Sequence, residues 1–380
     1  MSTEQTVRWR DDSGEERRAR WRSENGAPPP ERVVVADDRM NADTAFRLAC
    51  EGTSLLWNGD FHNARQLLAA MARRVDRKPP RPGATPTETF HRYRQAQSRR
   101  TRILGMLLVP FEPGHVVPLR RAPDVRAACE QAYGPATEPY VVSLRELQGV
   151  IGAGEWRRKG LYVPALGESI TPHYGVFSPV RGEYVDLVAQ APLPPGDRAF
   201  DIGTGTGVLA AVLARRGVPR VVATDQDPRA IACARENLGR LGLSGAVTVE
   251  ETDLFPEGRA SLVVCNPPWL PGRPRTSLEY AVYDPGSRML REFVGGLSRH
   301  LEPGGEGWLI ISDLAERLGL RGRDELPELF EEAGLSVAGR LDTRPRHSRP
   351  QDRSDPLYAE RAAEVTSLWR LTAGGDARAE

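Results

Sequence analysis

No other seven residues limit this chain as tightly as Asp201-Ile202-Gly203-Thr204-Gly205-Thr206-Gly207. The segment follows an apolar run at 198–202 and opens a helix near 207–216, so it is a strand-to-helix turn. Glycine at alternate positions admits a tight turn and a close backbone approach to a ligand, and the helix N-terminus adds free N–H groups. The spacing is GxGxG with an acid before it, unlike the GxGxxG dinucleotide fingerprint. It also lacks the Gly-Lys-Ser/Thr of a P-loop, which disfavours a nucleoside triphosphate. Around it, apolar runs near 198–202, 220–224, 246–250, 261–265, 307–312, 335–341 and 365–371 read as strands. Helical patterns near 207–216, 228–240, 286–301 and 323–334 fill the gaps. This alternation predicts an α/β unit with right-handed crossovers and a mostly parallel, doubly wound sheet of seven strands. The last strand follows a long linker and suits an antiparallel edge hairpin.

Three further positions fall just beyond expected strand ends. Asp225 closes the second strand near the ~20-residue offset at which an acid meets a ribose diol, although a helix N-cap is the plainer use of such an acid. Asp227, before Pro228, fills the cap role better. Asp253, in Thr252-Asp253-Leu254-Phe255, follows the third strand and either accepts from an adenine amine or marks a surface turn. Cys265-Asn266-Pro267-Pro268-Trp269 follows the apolar run at 262–264. Its prolines stop the strand and stiffen the backbone leaving the sheet. Asn266 and the Pro267 carbonyl then supply two fixed acceptors for the hydrogens of an –NH₂ group, and Trp269 supplies a flat face for a planar group. Taken alone, the segment is equally a structural Asn-Pro-Pro turn.

Together these motifs resemble those of class I S-adenosylmethionine-dependent methyltransferases, whose fold is a Rossmann-like seven-stranded sheet. Asn266-Pro267-Pro268-Trp269 is similar to the [ND]-PP-[YFW] motif of members that methylate nitrogen on a planar group. The order of these motifs, followed by Tyr283-Asp284-Pro285, resembles the HemK/PrmC glutamine methyltransferases of peptide release factors. A lead-in hairpin at 161–163 and 170–177 and the segment 177–183, which includes Val180-Arg181, stand where that group places its Pro-Arg segment. Trp269 replaces the usual Tyr or Phe, and the Pro-Arg string is not intact. The resemblance covers residues 160–312 and does not reach 1–150. It implies that Asp201, Gly203, Thr204, Gly205 and Gly207 hold the methionine end of S-adenosylmethionine, Asp225 its ribose, and Asp253 the side of its adenine. Asn266, which also borders the cofactor, and Pro267 would grip the substrate nitrogen, with Trp269 stacked on the attached plane. The implied enzyme is an N-methyltransferase acting on a protein glutamine or an RNA nucleobase amine. The rivals are a small-molecule N-methyltransferase of secondary metabolism and a non-catalytic cofactor-binding adaptor.

The rest of the chain reads less clearly. Residues 1–36 are polar and charge-mixed, which predicts a disordered tail. Residues 37–155 predict a mainly helical substrate-recognition domain, and 156–380 the methyltransferase domain with its hairpin lead-in. In the helical part, a hairpin at 41–75 is capped by Asn41 or Asp43 and broken at Asn58-Gly59-Asp60. Another helix is expected at 87–108, a loop or strand pair at 109–119, and a capping box at Ser143-Leu144-Arg145-Glu146 opens a helix at 143–151. Formal net charge is +1, yet 62–102 carries eleven basic residues against Asp76 and Glu88. Lys78 and Lys159 are the only lysines, a bias that explains the choice of arginine but not the scarcity of acids. That stretch suits RNA or another anionic partner as well as a solvated helix face. No apolar run suits a membrane span or a signal peptide. The four scattered cysteines and six histidines show no ligand spacing, so a cytoplasmic protein without metal is expected.

Overall fold

In the computed structural model, which describes residues 5–11, 13–179, 182–346, 352, 353 and 355–374, the chain divides into two units. The first comprises Met1–Gly83 and Glu88–Glu155; the second comprises Ala84–Thr87 and Trp156–Glu380. Val180-Arg181 of the lead-in segment lies outside the described residues.

The first unit runs β1 (Thr6–Arg10), β2 (Glu16–Trp21), β3 (Arg32–Ala36), α1 (Ala42–Cys50), β4 (Thr53–Trp57), α2 (Phe61–Asp76), α3 (Pro86–Leu104), β5 (Leu107–Phe111), α4 (Arg126–Tyr133), β6 (Tyr140–Ser143) and α5 (Leu144–Lys159). Its strands form one six-stranded sheet in the order β1-β2-β6-β5-β4-β3. Two expectations fail here. The first is the disordered tail: residues 6–36 supply three strands instead. Mean polarity hid a period of two, in which Val7 and Trp21 turn inward onto Leu56, Leu108 and Val141 while charged neighbours face water. The second is the uninterrupted helical hairpin at 41–75, although 37–155 holds far more helix than strand. Gly52, at φ 83°, ends α1 early, and the fully buried β4 follows where helix was expected. β4 pairs in parallel with β3 and β5, so α1 and the α2–α3 pair are crossovers. A short apolar run cannot by itself be assigned to strand or helix. Local signals hold better: Asn41 caps α1 by accepting from Thr44 N at 2.9 Å, and Glu146 N donates to Ser143 Oγ.

The second unit continues with β7 (Leu161–Val163), β8 (Glu168–Ile170), α6 (Glu183–Gln190), β9 (Arg198–Ile202), α7 (Val208–Arg215), β10 (Arg220–Asp225), α8 (Pro228–Arg240), β11 (Val247–Glu251), β12 (Ala260–Cys265), β13 (Leu270–Pro271) and β14 (Tyr283–Asp284). After these come α9 (Arg288–His300), β15 (Leu301–Ser312), α10 (Leu314–Arg317), α11 (Glu325–Glu332), β16 (Leu335–Thr343), α12 (Tyr358–Ala362) and β17 (Thr366–Ala373). The seven-stranded sheet has the order β11-β10-β9-β12-β15-β17-β16. It is parallel except for β17, which runs antiparallel between β15 and the edge strand β16. This is the doubly wound α/β architecture expected from the alternation, and the Rossmann-like sheet that the resemblance implies. β7 and β8 form the expected hairpin, although the second strand is shorter than 170–177 and begins earlier.

Apolar layers cover both faces of this sheet. One gathers Leu187, Leu209, Leu213, Ile231, Leu238 and Trp308; the other gathers Phe200, Phe293, Leu297, Ile311 and Phe330. Such burial on both sides is why the parallel strands read as continuous apolar runs. Phe200 and Phe293 are fully enclosed, and truncating either to alanine would cost about 3–5 kcal/mol. Among the described residues no helix is long and apolar enough to cross a membrane.

Candidate functional site

Four adjacent strands of the larger sheet end level with one another. Ile202 of β9 stands in register with Thr224 of β10 and Cys265 of β12, and Asp225 with Glu251 of β11. The chain order reverses at β9, with β10 on one side and β12 on the other. In open parallel sheets the crevice outside the carboxyl ends at such a reversal is where ligands bind.

The glycine turn lines this crevice. Gly203, Gly205 and Gly207 have φ of 71°, 55° and 79°, a region where other residues are strained. A Cβ on Gly207 would come within 3.2 Å of Ala234, so this glycine lets the turn pack on α8. A Cβ on Gly205 would meet nothing within 4 Å, so the turn is open there. Asp201, only 1% exposed, accepts from Thr204 Oγ1 at 2.6 Å and from Ala210 N at 3.0 Å. Burial pushes its carboxyl up to about 6 against the pull of those two hydrogen bonds, and the charge of Asp225 adds to the rise. Asp225 accepts from Gly205 N and Asp227 N, each at 3.0 Å, and burial raises its pKa as well. Asp227 caps α8 by accepting from Arg229 N. Asp225 is thereby released from the capping role and tied to the turn instead.

Past β12, Asn266 is half-buried and Pro267 buried. Trp269 Nε1 donates to Asn266 Oδ1 at 2.9 Å. The loop is then fastened to the Tyr283-Asp284-Pro285 segment, because Leu270 N donates to the Val282 carbonyl and β13 pairs with β14. Asp284 is buried and accepts from Leu290 N at 3.2 Å; desolvation raises its pKa. Burial also raises the Cys265 thiol, with the charges of Asp201 and Asp284 adding to it.

The crevice therefore joins Asp201, Gly203, Thr204, Gly205, Gly207, Asp225, Asn266, Pro267 and Trp269. Asp253 reaches the same sheet end but stands exposed, with its carboxylate on Arg288 at 3.3 and 3.4 Å. An adenine amine would have to share that carboxylate with a guanidinium. The sequence does not single out Asp284, Met289 or Arg321. Asp284 belongs to the Tyr283-Asp284-Pro285 segment. Met289, whose Cε lies 2.7 Å from where a Cβ on Gly203 would sit, and Arg321, which donates to the Trp269 carbonyl at 3.3 Å, have no local signal.

The donor set fits the cofactor that the resemblance implies. Among the described residues Asp201 and Asp225 have no ion-pair partner, and their hydrogen-bond donors are neutral. Two desolvated carboxylates beside an open glycine turn suit a ligand that carries positive charge and hydroxyl donors. S-adenosylmethionine offers an ammonium, a sulfonium and a ribose diol.

Comparison with known proteins points the same way. Residues 169–333 match the family model of the methyltransferase small domain. The chain is 50% identical over 74 residues to the ribosomal protein L11 methyltransferase of Pelotomaculum thermopropionicum, covering 19% of this chain and 24% of that one. It is 31% identical over 172 residues to the release factor glutamine methyltransferase of Cereibacter sphaeroides, covering 39% of this chain and 62% of the relative. With the ribosomal RNA small subunit methyltransferase C of Alcanivorax borkumensis it shares 34% identity over 160 residues, covering 40% and 45%. The chain thus spans from about a quarter to about three fifths of these relatives' lengths, less than two thirds of any of them. Its matched segment is a class I, Rossmann-like methyltransferase domain.

Proposed function

We propose that the chain is an S-adenosylmethionine-dependent N-methyltransferase acting on a planar amide or amine nitrogen in a protein or RNA. The observation that carries this reading is the exit of Asn266-Pro267-Pro268-Trp269 from β12 into the crevice that holds Asp201, Asp225 and the glycine turn.

Asp201 and the N–H groups of the turn would hold the methionine end, and Asp225 the ribose. When bound, the cofactor supplies a methyl group on a positively charged sulfur, open to direct displacement by nitrogen. Asn266 Oδ1 and the Pro267 carbonyl accept N–H bonds of the substrate and polarise them as charge develops on nitrogen. The two prolines hold these acceptors on a stiff backbone, so the work of the site is alignment, an effect that can supply ~7–11 kcal/mol.

Relatives named for protein and for RNA substrates leave the target class to the rest of the chain, and the surface of the first unit favours RNA. Arg65, Arg73 and Arg77 share the outward side of α2 and its end; Arg99 and Arg102 share that of α3; Lys78 and Arg81 lie between the helices. All seven are exposed and none forms an ion pair among the described residues, although the charge of Arg77 is felt at Asp43, whereas Arg74, Arg92 and Arg100 are paired with Asp43, Glu88 and Asp76. Phosphates are the complementary partner. Transfer of labelled methyl from S-adenosylmethionine into a fractionated lysate tests the reading. Label is expected in RNA; label in protein would keep the enzyme and change its target, and label in small molecules would favour the metabolic alternative. An unlabelled lysate would favour the adaptor.

A further inference from the structure

We infer that Trp269 is a positioning residue that locks the side-chain amide of Asn266, with its indole N–H as the working group. The inference rests on the N-methyltransferase reading and gives a purpose to the departure from Tyr or Phe. Pro267 and Pro268 restrain the backbone, but neither sets which end of the Asn266 amide faces the crevice. That choice decides the chemistry. Oδ1 toward the substrate accepts an N–H, whereas Nδ2 there would set donor against donor.

An indole N–H only donates, so at 2.9 Å it can meet Oδ1 and not Nδ2. It occupies one lone pair of Oδ1 and leaves the other for the substrate. A phenylalanine has no donor at that place. The far side of Trp269 is held as well. Arg321, 5% exposed, donates from Nη2 to the Trp269 carbonyl at 3.3 Å and pairs through Nη1 with Glu316, also at 3.3 Å. The indole edge is thus fixed on Asn266 and its backbone on a buried ion pair, while the ring packs against the apolar layers of the sheet.

Kinetics of Trp269→Phe, in the wild-type and Asn266→Asp backgrounds, test the lock. The probe is labelled S-adenosylmethionine with the lysate fraction that the wild type labels. Trp269→Phe is expected to lower kcat about 10–100-fold with the cofactor Kd within twofold of wild type. In the Asn266→Asp background the same change should cost less than threefold, since a carboxylate presents oxygen whichever way it turns. A ring that merely packs would cost the same in both backgrounds, and that result overturns the role. So does a Trp269→Phe variant with kcat within twofold of wild type. A third readout needs no substrate. The indole proton of Trp269, assigned by its loss in Trp269→Phe, should exchange slowly with water, and free exchange overturns the lock. A wild type that labels no fraction overturns the methyltransferase reading, and this role with it; a labelled fraction with an indifferent variant overturns the role alone.

Discussion

Asp60 in the first unit and Asp201 in the second are both buried carboxylates, and the protein treats them oppositely. Asp60 receives Arg120 at 3.0 Å, Arg121 at 2.5 Å and the backbone N–H of His62. The Arg121 guanidinium first, then the other donors, hold its carboxyl down at about 2. Asp201 receives a hydroxyl and an amide only, and burial pushes it up to about 6. Arginine is the commonest charged residue here, so its absence beside Asp201 is not for want of supply. A carboxylate finished with guanidinium is part of the scaffold. One left with neutral donors at a sheet end suits a positive ligand.

The comparison can be broken in several ways. The largest effect is expected at Asn266, the acceptor of the crevice. Asn266→Ala should lower methyl transfer about 10²–10³-fold with cofactor affinity nearly intact; a parallel collapse of the Kd would move Asn266 to the cofactor side.

Glu146 tests whether burial without a direct ion pair is costly in the first unit too, since the charge of Arg22 acts on it only at a distance. It accepts from Tyr133 Oη at 3.1 Å and Glu24 N at 3.2 Å, and burial pushes it up to about 7. The folded carboxyl keeps its proton to about pH 7 while the unfolded one releases it near 4.5. The folded state therefore binds more protons in that window, and stability falls as pH rises through it. Glu146→Gln should flatten denaturant midpoints over this range, removing a fall of about 3 kcal/mol or less. An unchanged slope would mean that burial is not what sets Glu146 apart.

Smaller effects separate the two aspartates directly. Asp225→Asn should weaken cofactor binding about tenfold or more by calorimetry, whereas Asp60→Asn should leave the Kd alone and lower the melting temperature. Cofactor affinity should also strengthen as pH rises from 5 to 7, because Asp201 must ionise near 6 to meet a positive charge; Asp201→Asn should remove that dependence. The smallest expected effect lies on the basic face, where Arg73→Gln should reduce the salt slope of binding to a single-stranded RNA by about 0.7. An unaltered slope would detach that face from RNA.

Much of the second unit was legible because its signals are local. Asp201 through Gly207, Asp225 and Asn266 each sit where a strand ends, and apolar runs covered on both faces mark those strands. The first unit was harder. Val7 and Trp21 are single inward positions in arginine-rich strands, and β4 is too short to declare its type before β3 and β5 flank it. Asp253 reads equally as an acceptor for adenine or as a surface turn, and its contact with Arg288, 35 residues on, has no local signal. Arg321 has no sequence signal as a neighbour of Trp269.

By itself the sequence determined the parallel sheet, the glycine turn and the acceptors beyond β12, since these follow from periodicity and from residues adjacent in the chain. Tertiary structure decided which charges meet. Whether an acid is neutralised by arginine or left desolvated depends on chain segments tens of residues away. That difference separates Asp60 from Asp201, and the same kind of long-range contact ties Trp269 to Arg321.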